Sequence, residues 1–87
     1  FFRDSHGNEI DLLIRENGML TPIEIKSAAT FSTEFVKQLE WFQALGVKHV
    51  HPGAVLYNGA RQFNVRGIRI LNPLAEQDIW QTLTATE

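Results

Sequence analysis

Two acids and a lysine carry the most specific chemistry in this chain: Asp11, Glu24 and Lys26, with Glu9 two residues before the first. Carboxylates beside an ammonium can hold a hard divalent cation and manage charge on a phosphate. Asp11 and Glu24 are far enough apart in sequence that only a chain reversal can unite them. Asn17-Gly18 supplies one, between segments that alternate polar and apolar residues as half-buried strands do. This dipeptide favours the type I′ hairpin turn, which needs φ > 0 at both central residues. A two-residue loop fixes the register: Glu16 faces Met19 and, counting back, Leu13 faces Pro22, Asp11 faces Glu24 and Glu9 faces Lys26.

Pair types alternate along an antiparallel ladder, so Asp11 and Glu24 fall at a non-hydrogen-bonded position, where Cα atoms approach to about 4.5 Å. Pro22 falls at another, where its missing N–H is not needed. Ile10, Leu12, Ile14, Ile23 and Ile25 share the opposite face and are expected to enter the core. Like charges directly opposite cost a few tenths to about 1 kcal/mol. Mg²⁺ or Mn²⁺ between Asp11 and Glu24 would offset that repulsion. Lys26 would then orient a water or stabilise charge on a phosphate. A plainer reading makes this a solvated face with Glu9–Lys26 a surface pair worth little. It accounts for Glu9 and Lys26 but gives no reason to set Asp11 against Glu24.

Glu9-Ile10-Asp11 followed by Ile23-Glu24-Ile25-Lys26-Ser27 resembles the core motif of the PD-(D/E)xK nuclease superfamily, the restriction-endonuclease-like fold. More narrowly, Phe2-Arg3-Asp4 through Ser27 resembles the C-terminal domain of unknown function found in many bacterial and archaeal AAA-type ATPases. The resemblance implies that Asp11, Glu24 and the backbone carbonyl of Ile25 bind the metal and that Lys26 helps activate the attacking water. In several superfamily members a glutamine on the following helix, with an aromatic four residues later, lies near the site; Gln38 and Phe42 match that spacing, although a surface glutamine above a core phenylalanine explains them too. The superfamily fold normally opens with a helix ahead of the first strand, often bearing another acid. This chain begins at the strand, so residues 1–87 are expected to be a single nuclease-like domain that forms the C-terminal part of a longer protein, with an ATPase upstream.

The rest of the chain must position that hairpin. Phe1 to Asp4 reads as a short strand, and Ser5-His6-Gly7-Asn8 as a turn, giving an antiparallel meander of three strands. Ser32 is a good N-cap for a helix whose buried face carries Phe35, Val36, Leu39, Phe42 and Leu45, ended by Gly46. Ala54-Val55-Leu56-Tyr57 reads as a buried strand, which makes strand, helix and strand a parallel crossover. Gln62 to Val65 and Ile68 to Leu71 alternate around a tight turn or bulge at Arg66-Gly67. Asn72 and Pro73 open a last helix with Leu74, Ile79, Trp80 and Leu83 as its apolar stripe. His49 and His51 form a His-x-His pair, but no cysteine or third histidine stands near enough in sequence to complete a zinc site.

The expected fold is α/β: a restriction-endonuclease-like mixed sheet, antiparallel meander first and strand–helix–strand crossover next, with flanking helices. Without a leading helix one sheet face stays partly uncovered, so a homodimer or a swapped element is expected to hide it. The net charge of −2 argues against a strongly basic nucleic-acid binder. No Asp or Glu occurs between Trp41 and Ala75, whereas Lys48, Arg61, Arg66 and Arg69 do, so the second half could meet a phosphate backbone or be an ordinary solvated face. The lack of cysteine suits a cytoplasmic protein, and no stretch approaches the roughly 20 apolar residues of a membrane span. Two functions lead: a metal-dependent nuclease-like module acting on DNA, or a non-catalytic nucleic-acid- or protein-binding module appended to an AAA-type ATPase; toxin-like or RNA cleavage is a third that the sequence does not separate.

Overall fold

The computed structural model describes residues 2, 3, 5 and 7–74. Strands β1 (Phe2–Arg3) and β2 (Glu9–Ile10) form a short antiparallel ribbon. Five strands make the main sheet: β3 (Leu12–Glu16), β4 (Met19–Ile25), β5 (Ala54–Leu56), β6 (Phe63–Val65) and β7 (Ile68–Leu71), in the order β3-β4-β5-β7-β6. The β3–β4 and β6–β7 pairs are antiparallel, while β4–β5 and β5–β7 are parallel. The sheet is therefore mixed, antiparallel at its edges and parallel at its centre.

The Asn17-Gly18 turn takes the expected conformation, with φ of 53° and 78°, and the ladder runs from Glu16↔Met19 to Leu12↔Ile23 in the expected register. Arg66-Gly67 repeats the geometry at 49° and 86°, so it is a two-residue turn between Val65 and Ile68 and not a bulge. Between β4 and β5, Ser32 Oγ accepts the Glu34 N–H, opening a 3-10 turn over Thr33–Val36 that runs into α1 (Lys37–Ala44). The helix expected from Thr33 thus has a tightened first turn, a common start for an α-helix.

Helix α1 covers one side of the sheet. Val36, Leu39 and Phe42 pack there with Ile10, Val55, Tyr57, Ile68 and Ile70. Fully burying one such side chain contributes roughly 1.5–3 kcal/mol. On the other side Ile14, Ile23, Ala54 and Leu71 form a smaller cluster. Gly53 fits the parallel crossover tightly, because a Cβ there would lie 2.4 Å from the backbone oxygen of Pro22 on β4.

Three expectations need correction. The opening meander is not one continuous sheet, since the chain bends at Asp11 and β2 pairs with β1 alone. Glu9 accordingly lies opposite Arg3 and not Lys26. The bend also changes which way Ile10 points: it joins the helix-side core, while Leu12 and Ile25 remain 43% and 56% exposed on the other face. The last helix expected from Pro73 lies almost wholly outside the described residues; at its expected opening, Asn72 Oδ1 accepts the Leu74 N–H at 2.9 Å, as a cap would. No helix among the described residues is long and apolar enough to cross a membrane.

Candidate functional site

The site forms where the β3–β4 ladder stops. Strand alternation would make Ile10 and Ile25 the next bonded pair beyond Leu12↔Ile23. The bend at Asp11 takes Ile10 away, and the Asp11 carboxylate stands in for its missing carbonyl. Asp11 Oδ2 accepts the Ile25 N–H at 2.9 Å, and Glu24 Oε1 accepts the Asp11 N–H at 3.2 Å. Each acid thus binds backbone at or beside the other, and the two side chains that the hairpin register predicts as neighbours are neighbours.

Glu24 is only 3% exposed, on the helix-facing side of β4. Lys26, two residues on and on the same face, brings Nζ to 3.6 Å from Glu24 Oε2 and lies 5.8 Å from the Phe35 ring centroid. Burial holds the Glu24 carboxyl above its ordinary value of 4.5; the Asp11 N–H pulls against that, the Asp11 charge adds to it, and Lys26 opposes it. A buried acid kept beside a second acid and one partly exposed ammonium is an unusual arrangement for stability alone, because the like-charge contact and the desolvation both penalise ionisation.

Gln38 reaches the same corner from α1, where its Oε1 accepts the Glu9 N–H at 3.1 Å. It steadies the strand leading into Asp11 without contacting either acid. Phe42, its partner in the sequence spacing, is a core residue. Glu9 turns its carboxylate to Arg3, with Oε2 2.8 Å from Arg3 Nη2. Two participants were not anticipated from the sequence. Arg3 could have been found from its opposite charge across the Ser5–Asn8 turn; Phe35 reads only as a core position, and its place under Lys26 depends on the 3-10 turn.

The donor set suits a hard cation. Asp11 Oδ1 makes no hydrogen bond among the described residues, and Glu24 Oε2 meets only Lys26. The C=O of Ile25 leaves β4 on the same edge as its N–H, toward Asp11. Three oxygens with two negative charges match the few protein ligands that Mg²⁺ takes alongside its waters. No third histidine, cysteine or acid joins them, since no group of three or more such residues occurs among the described residues. His49 is exposed and His51 half-buried, on the chain leading into β5.

Arg66 Nε bonds Glu40 across to α1, Arg61 lies over the Phe63 ring, and Arg69 pairs with Ala54 and Asn64 in the sheet.

The fold and site together define a small mixed α/β domain with a two-carboxylate corner at a broken hairpin. A family model for a domain of unknown function, DUF4143, matches residues 1–76, and the chain belongs to that family. Neither the functionally described proteins nor the solved structures include a match to it.

Proposed function

We propose that this chain is a divalent-cation-dependent phosphodiesterase module acting on nucleic acid, DNA first, with a restriction-endonuclease-like core and an ATPase upstream in the full protein. The observation that carries the reading is the contact of buried Glu24 with both Asp11 and Lys26 at the end of the ladder. Capping the ladder does not require an ammonium beside the two acids, and phosphate chemistry uses all three members. Asp11, Glu24 and the Ile25 carbonyl would hold Mg²⁺ or Mn²⁺, which when bound polarises the phosphate and lowers the pKa of a coordinated water. Lys26 would orient the attacking water and stabilise charge developing on phosphate oxygens. Gln38 and Glu9 act at one remove, fixing the strand from which Asp11 projects.

The test is cleavage of single- and double-stranded DNA across a Mg²⁺ and Mn²⁺ titration, with Asp11→Asn and Lys26→Ala alongside. Asparagine keeps an acceptor for the Ile25 N–H, so folding is preserved while a metal charge is lost. Cation-dependent cutting that both substitutions abolish supports the reading; a wild-type chain that cuts no faster than either variant ends it. A second reading has its own observation: both carboxylates accept backbone N–H bonds and so also serve the fold. In that case the domain is a non-catalytic nucleic-acid- or protein-binding module of an AAA-type ATPase, and neither substitution changes partner binding.

A further inference from the structure

A row of aromatic rings leads away from Lys26. Phe35, beneath the ammonium, lies 5.6 Å from Phe31, and Phe31 lies 5.1 Å from Phe63, both pairs edge to face. The Arg61 guanidinium closes the row, 5.4 Å from the Phe63 centroid. The three phenylalanines border the helix-side core but are only half-buried, unlike Phe42. Phe31, Phe63, Tyr57, Ala60 and Arg61 line a groove of about 530 Å³, and no acid lines it. Tyr57 donates its O–H to the Arg61 carbonyl at 2.6 Å, which anchors the loop carrying the arginine.

Arg61 in the groove and Lys26 beyond it, at the far end of the aromatic row, complement a ligand with negative charge at regular intervals and flat rings between. We propose that this groove binds single-stranded nucleic acid, with an unpaired base against Phe31 and Phe63 and a phosphate on Arg61, and that it leads the strand toward Lys26. The destination rests on the phosphodiesterase reading above; the binding does not. A duplex keeps its bases stacked on one another, so its ring faces are closed to the phenylalanines. Single strands bind protein in this way, by charge along the backbone and stacking on aromatic side chains, without sequence preference.

The experiment measures binding and not cleavage: fluorescence anisotropy in EDTA with a labelled oligothymidine, the same oligomer carrying abasic sites, and a duplex. The expected order is single strand tightest, with roughly a tenfold loss for abasic substitution and a similar loss for the duplex. Arg61→Glu, at an exposed position, is expected to weaken binding several-fold and to flatten its salt dependence by about one phosphate contact. Phe31→Leu, checked for an unchanged melt, lowers affinity for the normal strand but not for the abasic one. Equal affinity for normal and abasic strands, preference for duplex, preference for an acidic peptide of equal charge, or no binding each overturns the proposal. A wild-type chain that binds the strand in EDTA yet cuts neither substrate with Mg²⁺ or Mn²⁺ sinks the catalysis and leaves the groove.

Discussion

At its turn, the hairpin of β3 and β4 is held by backbone alone. Asn17 and Gly18 take left-handed conformations, Glu16 pairs with Met19, and no side chain is asked to do more than fit. At its open end the ladder stops at Leu12↔Ile23; Asp11 accepts the Ile25 N–H that a continuing strand would have bonded, and Glu24 accepts the Asp11 N–H. The first end is cheap to build and chemically inert. The second spends its hydrogen-bonding groups on two carboxylates, one of them, Glu24, buried beside the other's charge. A fold that needed only closure could have continued the ladder through Ile10. That it bends instead leaves charge, polarity and a free strand edge together in one corner.

The largest effect expected from this contrast is on chemistry at the open end. Lys26→Ala and Asp11→Asn are each expected to lower metal-dependent cleavage by about 10²–10⁴-fold, measured as initial rate, with the melting temperature changed by only a few degrees. Gly18→Ala, at the turn, should do the reverse. Its φ of +78° strains an alanine by about 1–2 kcal/mol, yet a Cβ there meets nothing within 4 Å, so cleavage per folded molecule stays at the wild-type rate. Turn variants that lose activity in proportion to the Lys26 variant would erase the distinction between the two ends.

The next effect is on stability, and it sharpens what the turn end lacks. Gly53→Ala places a methyl 2.4 Å from the Pro22 backbone oxygen, at a φ of +98°. Strain alone would match Gly18→Ala; the added overlap with backbone should cost about 1–3 kcal/mol more. Urea denaturation of the two variants gives the difference directly. Equal midpoints would mean that β4 and the β5 approach can part without penalty.

The turn end was the legible one. Asn-Gly states its conformation in two residues, a two-residue loop leaves one register, and the meeting of Asp11 with Glu24 follows by counting. The Ser32 cap and the α1 face at Val36, Leu39 and Phe42 were legible because each depends on residues near in sequence, although Leu45, expected on that face, is 49% exposed; the parallel crossover followed from the order strand, helix, strand. What escaped depends on the chain leaving its pattern. Alternation assigns Ile10 to the same face as Leu12, and nothing in Ile10-Asp11-Leu12 announces a bend. The bend decides that Glu9 faces Arg3 and not Lys26 and that Ile10 enters the helix-side core, while Leu12 and Ile25 stay exposed on the face that α1 does not cover. The central place of β7, parallel to β5, was likewise hidden, because pairing between strands distant in sequence leaves no local mark.

The smallest effect concerns the protonation of Glu24, and its sign can be worked out. Burial is the leading cause that lifts its folded pKa above the unfolded 4.5. Between those two values the folded chain holds a proton that the unfolded chain has lost, so stability falls as pH rises through that window and stays reduced above it. Glu24→Gln removes the charge but keeps an acceptor for the Asp11 N–H. The variant is therefore expected to melt a few degrees above wild type near neutral pH, with the gap closing as pH falls toward 4.5. Mg²⁺ should narrow the gap from the other direction, raising the wild-type melt at neutral pH and leaving the glutamine variant unmoved, because a cation favours the ionised carboxylate. A gap that ignores both pH and Mg²⁺ would mean that the open end of the hairpin carries its charge as comfortably as the turn carries none.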